Sequence, residues 1–152
     1  MAPVTAGGAN GTTSIPWETV SDPLIPGQTS VARVNDGVTA YGPAMPVTVG
    51  QSVTAQLDAR LAPSQPAASV RLDVVGYGAD GATTVGTAAA GTATAITTSW
   101  QRLVTNGTVP AGAVCARLVV TRTAGTGSVH LDNPLFGAGL AVLPRLVTPI
   151  AD

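Results

Sequence analysis

Side chains able to do chemistry are few in this chain. His130 is its only histidine, Cys115 its only cysteine and Glu18 its only glutamate. A lone histidine can form neither an imidazole pair nor a His-rich metal site, and no Ser, Cys or His stands in a recognisable nucleophile setting. A two-carboxylate hydrolase would have to draw on Asp58, Asp73 or Asp80. Asp58 and Asp73 fall on the polar positions of alternating runs, and Asp80 precedes Gly81. The pattern therefore puts the first two on a solvent-facing row and the third in a turn. Gly76, Gly78 and Gly81 match a dinucleotide fingerprint in letters only, because no helical pattern follows them; they read as a glycine-rich turn. Cys115 sits in the run Val114 to Val120 and reads as a small apolar strand residue. His130 alternates with Val129 and Leu131, which turns it outward from a strand. The expectation is a non-enzyme with no catalytic residue, no cofactor and no metal.

Sugar binding is the other chemistry to weigh, since pyranose rings stack on exposed aromatic faces. Aromatic residues are only 3% of the chain: Trp17, Trp100, Tyr41, Tyr77 and Phe136. Tyr41 stands beside Gly42 and Tyr77 between Gly76 and Gly78, at strand ends, and these two tyrosines are the candidate glycan contacts. Trp17, after Ile15 and Pro16, reads as a core or interface residue.

Composition narrows the partners further. Charged residues are 10% of the chain, lysine is absent, the seven arginines are scattered, and the net charge is −1. A nucleic-acid partner needs a basic stripe to neutralise phosphates, so none is expected. One cysteine leaves no internal disulfide. The opening residues lack the basic and apolar regions of a signal peptide, which gives an expectation of synthesis in a host cytoplasm without export. No apolar run approaches the ~18 residues that a membrane span requires, so no membrane partner is expected.

The elements that must position these residues read as strands. Val53, Ala55, Leu57, Ala59 and Leu61 alternate with Thr54, Gln56, Asp58 and Arg60, giving an apolar row and a wet row. Val70, Leu72 and Val74 alternate with Arg71 and Asp73 in the same way. Strands are predicted near 15–19, 29–34, 38–41, 52–61, 69–77, 83–88, 100–105, 114–121 and 128–136. Asn35-Asp36-Gly37, Asp80-Gly81 and Asn106-Gly107 supply turn signals between runs. Asn10-Gly11-Thr12 and Asn106-Gly107-Thr108 match a glycosylation pattern but are read as turns. Short strands with regular turn signals and no helical stripe predict an all-β antiparallel sandwich, or jelly roll.

The ends differ from the middle. Residues 1–14 hold little to bury and read as an N-terminal arm; 15–138 form the sandwich; 139–152 read as an extended tail. Pro144 and Pro149 argue against a helix in that tail. Its apolar residues Leu140, Val142, Leu143, Leu146, Val147 and Ile150 are the candidate interface with neighbouring subunits.

Three segments carry a resemblance. Ala44 to Ala55 (AMPVTVGQSVTA) resembles the "V-x-x-G-x-x-Y-T" strand entry of carbohydrate-binding-module-like jelly rolls. Thr98 to Leu103 (TSWQRL) with Thr108 to Ala113 (TVPAGA) is similar to their "T-x-x-W-x-x-L … T-V-P-A-G" segment, and Val129 to Phe136 (VHLDNPLF) to their closing strand. In family order, these span about residues 29–137. The resemblance implies two antiparallel sheets of four or five strands. It implies that Trp100 lies in the sandwich interior, and Phe136 is read as core beside it. Asp132 and Asn133 match an acidic pair that can serve calcium in relatives; the residues themselves read as capping a bulge or turn before Pro134.

Such domains occur on tailed-phage particles, and the Lys-free, Ala/Val/Thr/Gly-rich composition resembles that of GC-rich actinobacterial phages. The leading expectation is a virion structural protein: a capsid decoration, or cement, protein on the outer head surface. Its partners would be the major capsid protein and further copies of itself, in an oligomer such as a trimer. The alternative is a carbohydrate-binding module of a phage tail or receptor-recognition protein, with Tyr41 and Tyr77 touching the glycan.

Overall fold

The computed structural model describes residues 5–6, 13–14, 17–19, 30–42 and 44–138. In chain order the strands are β1 (Thr5–Ala6), β2 (Thr13–Ser14), β3 (Trp17–Thr19), β4 (Ser30–Val34), β5 (Ala40–Tyr41) and β6 (Met45–Pro46). There follow β7 (Ser52–Leu61), β8 (Ala68–Tyr77), β9 (Thr84–Ala89), β10 (Thr94–Ile96), β11 (Gln101–Thr108), β12 (Cys115–Gly125) and β13 (Val129–Ala138). No helix occurs among the described residues. The proposed interface residues Leu140, Val142, Leu143, Leu146, Val147 and Ile150 lie outside them.

All pairings are antiparallel and fall into two sheets. The smaller has the order β11-β7-β13-β4-β3. The larger has the order β10-β8-β12-β5-β1-β2, with β9 on β8 and β6 on β12. The chain crosses from one sheet to the other between β2 and β3, β4 and β5, β6 and β7, β7 and β8, β10 and β11, β11 and β12, and β12 and β13. That repeated crossing makes the sandwich a jelly roll, as the alternating runs predict. It buries one face of each sheet against the other.

Among the described residues, the core between the sheets is made of alanine, valine and leucine with Ile96 and contains no aromatic ring; Phe136 packs half-buried at its margin. Small side chains let the backbones approach closely. A Cβ on Gly107 would stand 2.0 Å from the carbonyl oxygen of Ala88, so only glycine fits there. This overturns the reading of Asn106-Gly107 as a turn. Both residues pair within β11, opposite Thr54 and Val53, and the turn before β12 falls later, with Gly112 at φ +86°. The glycine at 107 serves a close approach rather than a positive φ.

The other two turn signals behave as expected. Val38 N–H donates to the Asn35 carbonyl, 3.2 Å, and Gly37 takes φ +78°. Asp80-Gly81 closes the β8–β9 hairpin with Gly81 at φ +70°. The Asp80 carboxylate accepts from the backbone N–H groups of Ala82 (3.0 Å) and Thr83 (2.8 Å) and from the Thr83 hydroxyl. The Thr83 hydroxyl, then the two amides, stabilise the ionised form and lower its pKa to about 2.

Candidate functional site

Sequence alternation puts Val53, Ala55, Leu57, Ala59 and Leu61 of β7 in the core, as predicted, and turns Thr54, Gln56, Asp58 and Arg60 to the outer face of the smaller sheet. That row is not wet. Thr54, Gln56 and Asp58 are all buried, and Asp58 is 0% exposed. His130 in β13, expected as a surface histidine, faces the same way and is also 0% exposed. Asp73, on the other sheet, is buried too: it pairs with Arg71 Nε at 2.8 Å and accepts from Gly91 N–H at 2.9 Å. In all three cases period two gave the correct face, but alternation carries no information on what covers that face.

Register then builds cross-strand rows on the smaller sheet. Arg102 of β11 stands opposite Asp58, which stands opposite Asp132 of β13. In the next row His130 lies between Arg60 of β7 and Arg33 of β4. On the far side of Asp58, Gln56 lies between Val104 and Leu135. Directly opposed carboxylates such as Asp58 and Asp132 repel unless donors intervene. Donors do intervene at Asp58. Arg102 Nε donates to Oδ1 at 2.9 Å, and Asn133 Nδ2 donates to Oδ2 at 3.0 Å. Asn133 reaches it because the ladder with β7 slips between Asp132 and Leu135, with Asn133 at φ +52°. The bulge expected before Pro134 is therefore present, and it aims an amide at Asp58.

Arg60 links this network to an aromatic ring. Its Nε donates to His130 Nδ1 at 3.3 Å, and its guanidinium carbon lies 4.6 Å from the Trp100 ring centroid. Trp100 is not the core plug expected of it; it is half-buried and outside the core cluster. The reason is parity. Leu103 and Thr105 of β11 face inward, so a residue three positions before Leu103 must face outward. Stacking under a guanidinium suits an indole at that site.

The tyrosines do not form the expected stacking pair. Tyr77 is 1% exposed and cannot offer a ring face to a sugar. Burial, with Tyr41 and Cys115 nearby, raises its pKa, and Arg117 opposes the shift. Arg117 lies 5.9 Å from its ring centroid and donates through Nη1 to the Gly42 carbonyl at 3.0 Å. Tyr41 is half-buried in β5, on the larger sheet.

Sequence reasoning passed over Arg60, Arg102, Arg33 and Gln56. Arg60 was legible, being two residues from Asp58 and so on its face. Arg102 is likewise two from Trp100, but its pairing with Asp58 needs the β7–β11 register. Among the described residues, no group of three or more His, Cys, Asp or Glu side chains is placed to hold a metal ion. A cleft of about 510 Å³ runs along the edge strand β11, lined by Gln101 to Asn106, Ala90 to Thr92, Thr94 and Leu72. Arg102, Val104 and Asn106 thus border both the cleft and the polar face.

No family model matches the sequence, and no curated protein matches it. Solved structures do match in shape. The CBM22-1 xylan-binding domain of Paenibacillus barcinonensis Xyn10C superposes with a TM-score of 0.64 at 13% identity, covering 92% of this chain and 88% of that one. A structure described as "CBM4 structure and function" matches with a TM-score of 0.57 at 10% identity, covering 89% of this chain and 86% of that one. The enzymatically active domain of bacteriophage CBA120 tailspike protein 4 matches with a TM-score of 0.58 at 12% identity, over 89% of this chain but only 19% of that one. The chain therefore has the β-sandwich fold of carbohydrate-binding modules.

Proposed function

We propose that the protein is a non-catalytic glycan-binding module whose ligand lies on the outer face of the smaller sheet. The observation that carries this reading is the make-up of that face. A half-buried indole beside Arg60 adjoins the exposed Asn133 amide and the part-exposed Arg102 guanidinium, both held by the buried Asp58, while the buried His130 holds Arg60. Apolar ring surface next to oriented polar groups is what a pyranose needs, because the sugar itself has C–H faces and a rim of hydroxyls. The fold shared with a xylan-binding domain supports the same reading.

The proposal favours the alternative among the two sequence expectations. For location we propose a phage tail, a setting supported by the tailspike likeness. The capsid-decoration reading drew its contacts from Leu140 to Ile150, outside the described residues, and no described feature favours it.

The test is retention of the chain on xylan and on bacterial wall polysaccharide, with tryptophan fluorescence as a second readout. The wild-type chain is expected to bind saturably with a change in emission. Trp100→Ala should weaken binding about tenfold, the loss of one aromatic contact of ~1.4 kcal/mol. Absence of binding to every polysaccharide tried would contradict the proposal.

A further inference from the structure

His130 is the chain's only histidine, and it is buried, so it cannot touch a ligand. What it touches is Arg60. Arg60 Nε donates to His130 Nδ1 at 3.3 Å, and an arginine can only donate, so Nδ1 is a bare acceptor and the ring is neutral. The same guanidinium lies 4.6 Å from the Trp100 ring centroid. One side chain thus joins the buried imidazole to the indole of the proposed ligand face. The charges around the ring are set by register. Directly opposite His130 stand two cations, Arg60 of β7 and Arg33 of β4, and Arg33 Nε donates to Asn35 Oδ1 at 3.1 Å. The adjacent row holds Arg102, Asp58 and Asp132, with Asp58 already committed to Arg102 and Asn133. Glu18 of β3 stands opposite Val31 of β4. Among the described residues, these are the titratable and charged groups that the strands of the smaller sheet bring to this face.

We propose, on the basis of the glycan-binding reading above, that His130 is a positioning residue whose protonation releases Arg60 from Trp100 and so weakens glycan binding in acid. Protonation turns Nδ1 from an acceptor into a donor. It also sets a second positive charge against a guanidinium that cannot lose its own. Like charges in contact repel, and more strongly away from water. One group must move. His130 is enclosed, whereas Arg60 is only half-buried, and its long stem can carry the guanidinium out to water. The indole then loses the cation that lies over it and the order which that contact imposes. The site is therefore assembled while the imidazole is neutral and loosened once it is charged. The ligand never meets His130; only a proton does, and local opening is enough to admit one.

The test is a pH series from about 7.5 to about 4.5, across the ordinary histidine range, on the wild-type chain and on His130→Asn. Asparagine offers an oxygen close to where Nδ1 stood and does not titrate. The readouts are the imidazole proton shifts of the single histidine, the Trp100 indole N–H shift, and affinity for the polysaccharide that the chain retains best. Wild-type affinity should fall by about three- to tenfold as the imidazole takes its proton, with the Trp100 signal moving at the same midpoint. His130→Asn should bind as wild type does at neutral pH and show a flat profile. An equal fall in His130→Asn would assign the effect to carboxylates such as Asp58 and Asp132 and overturn the inference. So would an imidazole that takes its proton without moving the Trp100 signal, or one that stays neutral until the chain unfolds in acid. If His130→Asn did not fold, the two midpoints in the wild type would decide, since separate midpoints exclude the linkage. If no polysaccharide bound at any pH, the glycan reading would fall by itself; a Trp100 signal that still followed the imidazole would uphold the Arg60 linkage, and one that did not would end both.

Discussion

Asp58→Ala should destabilise the chain by about 3–5 kcal/mol, the usual consequence of removing one member of a buried charge pair. Asp58 is 0% exposed and sits at the crossing of three strands. Its loss takes the acceptor from Arg102 Nε, on a side chain only 22% exposed, and from the Asn133 amide. Arg102 cannot escape by losing its proton, so its charge remains in place. Asp58→Asn keeps the shape and one acceptor, and should cost less than Asp58→Ala. Urea unfolding of the two variants checks both statements. If Asp58→Ala shifted the midpoint by less than about 1 kcal/mol, Asp58 would be behaving as one of the exposed pairs, whose worth is ~0–1 kcal/mol, and the buried network would be refuted.

The second large effect separates structure from function at a residue that sequence reasoning assigned to the ligand. Tyr77→Ala should cost about 3–5 kcal/mol, as for other large aromatic truncations in buried sites. Tyr77 is 1% exposed at the end of β8, opposite Cys115 and near Arg117. It lies on the larger sheet, whereas the proposed ligand face is on the smaller one. Any Tyr77→Ala molecules that fold at low temperature should therefore bind glycan with wild-type affinity. A variant of normal stability that had lost only binding would restore Tyr77 as a contact residue and move the site to the other sheet.

The fold was legible because period two is a local signal. Strands β4, β7, β8, β9, β12 and β13 fall within a few residues of their predicted ranges, since each carries alternating or continuous apolar residues between turn signals. β1, β2, β6 and β10 were missed; with two or three residues each they are too short to show a period. Asn106-Gly107 misled because glycine serves two ends in a strand protein. The same letters that favour a hairpin also permit a backbone to pass within contact of another sheet, here at Ala88.

The site was half legible. Alternation decides which face a residue takes, so Asp58, Arg60 and His130 could be placed on one side of the sandwich. What alternation cannot supply is the register between β7, β11 and β13, which brings Arg102 and Asn133 to one carboxylate from 44 and 75 residues away. The resemblance placed Trp100 inside, against its own parity with Leu103. Here the local rule was the better guide. The tyrosines were chosen as glycan contacts for their chemistry alone, and burial of Tyr77 removes it.

The most direct test of the account is amide chemical-shift mapping with the glycan that the chain retains best. The account predicts shifts at Gln56, Asp58, Arg60, Arg102, Val104, His130 and Asn133, together with the Trp100 indole N–H, and none along β8 and β12. Shifts concentrated instead around Tyr41 and Arg117 on the larger sheet would contradict it.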